Sequence, residues 1–174
     1  MFGLVILLLA TTAGLRGLGA LGVRRFASWP VSGAHPLALL LVVTASAHFA
    51  PAGVTVMPTH ADLVAMVPPF VPFPSLMVYA TGVLELLGAA GLVVAATRRA
   101  AGVALALLFV LLLPANVYAA LAGVPFQGGP ATPLWVRIPE QILYIAVALW
   151  AARSADGPLL PRRTRIAPVA TTRG

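Results

Sequence analysis

The sequence predicts an all-α integral membrane protein in which five transmembrane helices form one bundle. Of its 174 residues, 60% are hydrophobic and 9% are charged, whereas soluble domains carry about 25% charged residues. Five apolar runs recur along the chain, and a run of about 20 apolar residues is what a transmembrane helix requires. The polar stretches between these runs are too short to form a second domain.

The charge distribution indicates an orientation in a membrane. The formal net charge is +7, and the basic residues are arginines located at the ends of apolar runs and in the C-terminal tail. This placement follows the positive-inside rule and argues against nucleic acid as a partner. The chain has no lysine and much alanine, glycine and proline, which is typical of a GC-rich bacterial gene. We therefore expect the bacterial cytoplasmic membrane.

The first two apolar runs are interpreted as transmembrane helices, and the first is expected to be retained rather than cleaved. The run 2–23 is interrupted by Arg16, which can extend toward the nearer interface. A signal peptide is the alternative, but the expected basic residue before the apolar core is missing. The second predicted helix covers 36–49, and an earlier start by one or two turns is left open. The prediction for residues 1–23 is thus an accessory transmembrane helix.

A proline-rich loop separates the second helix from the third. Residues 51–74 contain six prolines and no basic residue. A short helix is predicted over 59–67, with Thr59 or Asp62 near its N-terminus. The third transmembrane helix is predicted over 75–97 and is followed by a tight turn at the next two arginines, Arg98 and Arg99.

The last two spans and the tail complete the prediction. A charge-free helix is expected over 100–123, with a kink at Pro114, and a glycine- and proline-rich loop separates it from a helix over Leu134–Ala152. Residues 24–152 form the predicted four-helix core. The tail 153–174 is predicted to be cytoplasmic, and either disordered or lying along anionic lipid. The arginine-bearing ends then fall on the cytoplasmic side and the N-terminus lies outside.

Glu85 is the central candidate residue because it lies near the middle of the third span. A charge at that depth costs about 2.5–3.5 kcal/mol on insertion scales, so the carboxylate should face other helices and have a partner. The predicted topology places further polar residues in the same outer half of the bundle. They are His48, Thr81, Asn116, Arg137, Glu140, Gln141 and Tyr144.

Helical spacing groups these residues on shared faces. Arg137, Glu140, Gln141 and Tyr144 follow the i, i+3, i+4, i+7 pattern. Glu85–Arg137 is the preferred ion pair, and Arg137–Glu140 is the local alternative, with a bridge to both also open. The cluster is interpreted either as a functional pocket open to the outside or as structural bonding between helices.

The histidines allow three hypotheses. A haem is disfavoured because His35 and His48 lack a facing histidine at equal depth. Zinc bound by His48, His60 and Asp62 is weaker than the interpretation of interfacial histidines. His48 could instead carry protons near Glu85, since imidazole titrates at about pH 6.5. We expect no metal site, and no cofactor held covalently or by metal ligation.

A family resemblance adds a further expectation. In this order between residues 44 and 150, the chain carries the segments ASAHFAP, MVPPFVPFP, YATGVLELLGAAGLVV, TRRAAG, LLPANVYAAL and WVRIPEQ. Together they resemble the DoxX-like family of small bacterial membrane proteins. The resemblance implies four core spans, with the run before Arg24 additional to them. The characteristic positions that it implies are His48, Pro68, Gly82, Glu85, Asn116, Arg137 and Gln141. Many relatives have leucine or a similar residue at the position of Glu140.

Three functions follow as hypotheses. The first is an accessory or scaffold subunit of a membrane complex, with the redox link that the resemblance implies. The second is a quinone- or small-lipid-binding protein with an outward-facing polar pocket around Glu85 and Arg137, since quinone carbonyls accept hydrogen bonds. The third is a transporter, against which five spans without repeats argue. No catalytic motif is present, so catalytic residues are not assigned. The expected partners are the lipid bilayer and either another membrane protein or a second copy.

Overall fold

The computed structural model describes residues 2–126 and 128–154, and the regular structure in this part of the chain is helical. The helices are α1 Gly3–Ala20, α2 Trp29–Ser46, α3 His60–Ala65, α4 Pro74–Val93, α5 Arg98–Leu121 and α6 Leu134–Ala152. Short 3₁₀ turns follow α1 and α2, at Arg24–Phe26 and Ala47–Phe49. The all-α prediction is confirmed. The prediction for the tail falls, from residue 155 onward, outside the described residues.

Four helices form a closed ring in the order α2, α4, α5 and α6. Each packs against the next, and α6 returns to pack against α2. The centre of the ring is filled mainly by leucine and alanine side chains from all four helices, among them Leu37, Leu92, Leu105 and Ala148. α1 packs against α2 at the edge of this ring and contributes the buried side chain of Leu8.

Five helices are long and apolar enough to cross a membrane, and α3 is the short exception. The predicted number of candidate spans is confirmed at this level. Their outward faces carry large apolar side chains that are more than half exposed, including Leu87, Leu111 and Ile142. An apolar surface of this extent is unusual for a soluble monomer, and it is the kind of surface that a bundle surrounded by lipid presents.

The short helix of the proline-rich loop is confirmed, and a reciprocal cap explains where it begins. The Thr59 hydroxyl accepts a hydrogen bond from the Asp62 amide at 3.3 Å, and Oδ2 of Asp62 accepts one from the Thr59 amide at 2.8 Å. This capping box satisfies two amides that a helix N-terminus otherwise leaves unpaired. α3 is therefore fixed by its local sequence.

The structure settles the start of α2, which the sequence left open by one or two turns, and it contradicts the predicted boundary between α4 and α5. α2 begins at Trp29, about two turns before Pro36, and continues through that proline. Pro30 occupies the first turn, where a missing amide costs nothing. The predicted turn at Arg98 is part of α5 instead. α4 ends at Val93, and the turn is made by residues 94–97. Arg98 then places its Nε 2.7 Å from the carbonyl of Leu92, where it caps the end of α4.

α5 and α6 approach closely at Gly102. A Cβ at this position would lie 2.5 Å from the backbone oxygen of Ala148 and 2.9 Å from Cβ of Ala152. The first of these neighbours is backbone, which cannot rotate away. The absence of a side chain at Gly102 therefore sets the spacing of these two helices.

We predict that Gly102→Ala destabilises the bundle by about 1–3 kcal/mol, the usual cost of overpacking a close contact. Gly14→Ala is the matched control, because it also lies inside a helix and nothing lies within 4 Å of its added Cβ. Alanine at Gly14 should be neutral or slightly stabilising. Thermal unfolding of both variants in the same detergent measures the difference. Equal melting temperatures would contradict the close contact.

Candidate functional site: a buried acid–base pair

The carboxylate of Glu85 and the imidazole of His48 meet inside the bundle. His48 lies in the 3₁₀ turn that ends α2, Glu85 lies in the middle of α4, and their Nε2 and Oε1 atoms are 3.6 Å apart. Both residues are buried, with 8% and 6% of their surface exposed. The acid therefore has its partner on a neighbouring helix, as expected for an ionisable group in an apolar interior.

Hydrogen bonds fix both members of the pair. Nδ1 of His48 donates to the carbonyl of Val78 at 2.6 Å, and the Thr81 hydroxyl lies 3.3 Å from the same nitrogen. The Thr44 hydroxyl donates to the other carboxylate oxygen, Oε2 of Glu85, at 3.2 Å. The imidazole and the carboxylate are thus held in place from both α2 and α4.

The tautomer of His48 follows from these bonds. A backbone carbonyl only accepts hydrogen bonds, so Nδ1 must carry the hydrogen that faces Val78. Nε2 then faces Glu85, and a favourable contact there requires a proton on one of the two groups. The pair can hold that proton either as imidazolium with carboxylate or as imidazole with carboxylic acid.

Gly82 makes the contact sterically possible. An added Cβ there would lie 2.5 Å from Cβ and 2.8 Å from Cγ of His48. Gly82, Glu85 and Gly88 lie on the buried face of α4. The small residue one turn before Glu85 provides the space that the imidazole ring occupies.

A second histidine closes the loop side of this site. Nδ1 of His60 donates to the carbonyl of His48 at 2.8 Å, and its Nε2 accepts from the Ser75 hydroxyl at 2.9 Å. Its ring also stacks on Tyr79 with centroids 4.0 Å apart. Both ring nitrogens of His60 are therefore occupied. The Asp62 carboxylate caps α3. The three side chains proposed as zinc ligands, those of His48, His60 and Asp62, therefore make other hydrogen bonds.

The remaining predicted residues form a separate cluster between α5 and α6. Nε2 of Gln141 donates to the carbonyl of Phe109 at 2.5 Å, and the Asn116 amide lies 3.5 Å from the Gln141 side-chain oxygen. Gln141 is buried, and the Tyr144 ring lies 6.2 Å from that of Phe109. Phe109, whose carbonyl accepts this bond, is adjacent to Val110. The carbonyl of Val110 has no helical donor, because the residue four positions later is Pro114, which lacks an N–H.

Arg137 lies beside a small cavity rather than beside Glu85. Its guanidinium carbon is 5.1 Å from the centroid of the Phe126 ring, a cation–π arrangement. Asn116, Thr132 and Arg137 contribute polar groups to the cavity wall. Its volume is about 10 Å³, which is room for about one water molecule.

The predicted Glu85–Arg137 pair is wrong. Within residues 2–126 and 128–154, the basic group at ion-pair distance from Glu85 is His48, and neither Glu85 nor Glu140 makes such a pair with Arg137. The order of helices in the ring gives the reason. α4 packs against α2 and α5, whereas Arg137 is on α6, across the ring. The predicted residues are therefore divided between two clusters instead of sharing one pocket.

Sequence reasoning missed Thr44 and the two backbone carbonyls that accept side-chain hydrogen bonds. Thr44 precedes His48 by four residues, so a helix continuing to His48 would have placed both on one face. That spacing was a usable signal. The carbonyls of Val78 and Phe109 carry no sequence signal of their own, because every residue has one.

Comparison with known protein families identifies the chain's family. The family described as Domain of unknown function (DUF8561) matches residues 37–152, more than half of the chain, and the protein belongs to this family. The match contains both polar clusters and begins within α2, so α1 lies outside it. No curated protein and no solved structure matches the chain.

We predict energetic coupling between His48 and Glu85 but not between Arg137 and Glu85. The test is a pair of double-mutant cycles with Glu85→Gln, one including His48→Gln and the other Arg137→Gln, read out by thermal stability in detergent. The first cycle should show a coupling of about 0.6–1.7 kcal/mol, the range of hydrogen-bonded pairs within membrane bundles. The second should be additive within about 0.5 kcal/mol. The reverse pattern would restore the Glu85–Arg137 pair.

Proposed function

We propose that the protein is an accessory or scaffold subunit of a protein complex in the bacterial cytoplasmic membrane, embedded through its five apolar helices. One observation carries this proposal: the buried side chains of His48, Glu85 and Gln141 bind other groups of the bundle. Thr44, His48 and Glu85 join α2 to α4, and Gln141 joins α6 to the backbone of α5. These contacts connect neighbouring helices and so hold the bundle together as one unit.

The size of the cavity near Arg137 favours this function over ligand binding. Asn116 and Arg137 supply donors that a quinone carbonyl could accept, which is the specific argument for the quinone- or small-lipid-binding alternative. The cavity that they line measures about 10 Å³, while ligand pockets commonly measure about 300–1,000 Å³. A quinone would fit there only if lining residues such as Phe126 and Thr132 moved away.

A groove on the outer face of α4 and α5 provides a surface for a partner. It is open, apolar and about 280 Å³ in volume, and it is lined by Leu84, Leu87, Gly88, Ala100, Ala101, Ala104, Leu105 and Leu108. Small residues at such a position allow the backbone of another transmembrane helix to approach closely. We propose that a helix of the partner protein packs here. The resemblance to DoxX-like proteins supports the same class of function by analogy alone.

Cross-linking from two matched positions tests the proposal. A photoactivatable residue in place of Leu87, which is 64% exposed in the groove, should give one discrete cross-linked protein in native membranes. The same residue in place of Ile142, which is 61% exposed on α6, is the control and should not give that product. The physical reason is that a docked helix stays beside the groove, whereas diffusing proteins contact all faces alike.

Three outcomes would contradict an accessory subunit. Equal products from both positions would mean random collision, and a product at twice the mass of the chain would mean a homo-oligomer. Purification of a monomer with one quinone per chain would instead favour the ligand-binding alternative. Quinone is measured by extraction and absorbance of the purified protein.

The proposed orientation places the N-terminus outside and the C-terminus in the cytoplasm. Four arginines lie at one end of the bundle. Arg24 and Arg25 are between α1 and α2, and Arg98 and Arg99 are in the first turn of α5. The chain alternates direction through its spans. By the positive-inside rule this end faces the cytoplasm. We predict that reporters fused after Phe26 and Gly174 read as cytoplasmic and that one fused after Gly128 reads as external. An external reading at Gly174 would invalidate the orientation.

A further inference from the structure

Two arginines converge on the C-terminal end of α4. Nη2 of Arg25 lies 3.4 Å from the carbonyl oxygen of Val93, and Nη2 of Arg98 lies 3.2 Å from the same oxygen. Nε of Arg98 also donates to the carbonyl of Leu92 at 2.7 Å. Two guanidinium groups therefore share one acceptor, although they carry the same charge.

Arg25 is held in this position although it is exposed. Its Nε donates to Nε2 of His35 at 3.0 Å, while Nδ1 of His35 donates to the carbonyl of Val31 at 2.9 Å. His35 therefore uses its Nε2 lone pair as an acceptor and is neutral in this arrangement. The interaction orients Arg25 without neutralising its charge.

Among the described residues, the charges at this end of the bundle do not balance. The end of a helix such as α4 offers about half a negative charge, against two full positive charges on Arg25 and Arg98. The N-terminus of α5, which begins at Arg98, adds a further partial positive charge. The carboxylates among residues 2–126 and 128–154 are Asp62, Glu85 and Glu140, and none of them contacts this cluster.

We infer that Arg25, which shares the Val93 carbonyl with Arg98, binds the phosphate of an anionic phospholipid headgroup. Arg25 uses two of its five N–H donors in the bonds described above, so donors remain for phosphate oxygens, which guanidinium groups bind in a two-pronged geometry. The neighbouring Trp29 is 50% exposed, and tryptophan is typical of the headgroup level of a membrane. The position at the end of an apolar bundle selects a lipid over a soluble phosphate.

Lipid binding by the purified full-length protein tests this inference. The protein in a neutral detergent is titrated with phosphatidylglycerol or with phosphatidylcholine of the same acyl chains, and bound lipids are counted by native mass spectrometry. We expect one phosphatidylglycerol per chain to bind at least about fivefold more tightly than phosphatidylcholine. Arg25→Gln should lose about fivefold in this affinity. Arg153→Gln is the control, because Arg153 is an exposed arginine at the same end of the bundle.

A conservative variant separates a binding site from general attraction and from loss of the fold. Arg25→Lys keeps the charge but loses the planar fork, so phosphatidylglycerol should bind more weakly than to the wild type while the melting temperature without lipid stays close to that of the wild type. Equal losses in Arg25→Gln and Arg153→Gln would overturn the site, and so would wild-type affinity in Arg25→Lys. Displacement of the lipid by millimolar inorganic phosphate would overturn the choice of a lipid. The inference needs no partner protein, so a failed cross-linking experiment would leave it standing.

Discussion

The contact between His48 and Glu85 is the constraint on which the arrangement of the bundle depends. A carboxylate with 6% of its surface exposed has lost its water, and in an apolar interior it must find a counter-charge or a donor for each oxygen. His48 and Thr44 supply these on one side, and both come from the end of α2. The separation, rotation and height of α2 relative to α4 are therefore determined together, and Gly82 provides the space.

The other half of the ring follows the same rule with different groups. Gln141 donates to a backbone carbonyl of α5, near the proline that interrupts the hydrogen bonds of that helix. Gly102 lets α5 and α6 approach until Cβ atoms would collide with the backbone. In both halves a polar side chain and a glycine act at one interface. The polar group specifies which helices meet, and the glycine sets how closely, while leucine and alanine fill the remaining volume.

Local patterns predicted much of this fold, and the relative position of helices was the part that could not be predicted. α6 begins and ends where its apolar run does, and the cap of α3 is readable from Thr59 and Asp62. The start of α2 was left open by one or two turns because Pro36 resembles a helix start, and the earlier start is the one observed. Prolines inside membrane helices are tolerated when neighbours satisfy the freed backbone groups. The pairing of Glu85 failed for another reason. Charge and depth pointed to Arg137, but spacing along one helix says nothing about which helices are neighbours in the ring, and His48 lies on the adjacent one.

Ionisable residues are used differently in the interior of the bundle and at its arginine-bearing end. In the interior, Glu85 is enclosed and bound by His48, so its charge has little effect on the surroundings. At the end of the bundle that carries the arginines, Arg25 and Arg98 are bound to the backbone and to a neutral histidine, and these groups orient the two arginines without neutralising their charge. Because the buried side chains of His48, Glu85 and Gln141 are bonded within the bundle, the chemistry that this part of the chain offers to other molecules lies on the outside. That chemistry consists of apolar helix faces along the sides and fixed positive charge at one end, and both are suited to contacts with lipids and membrane proteins.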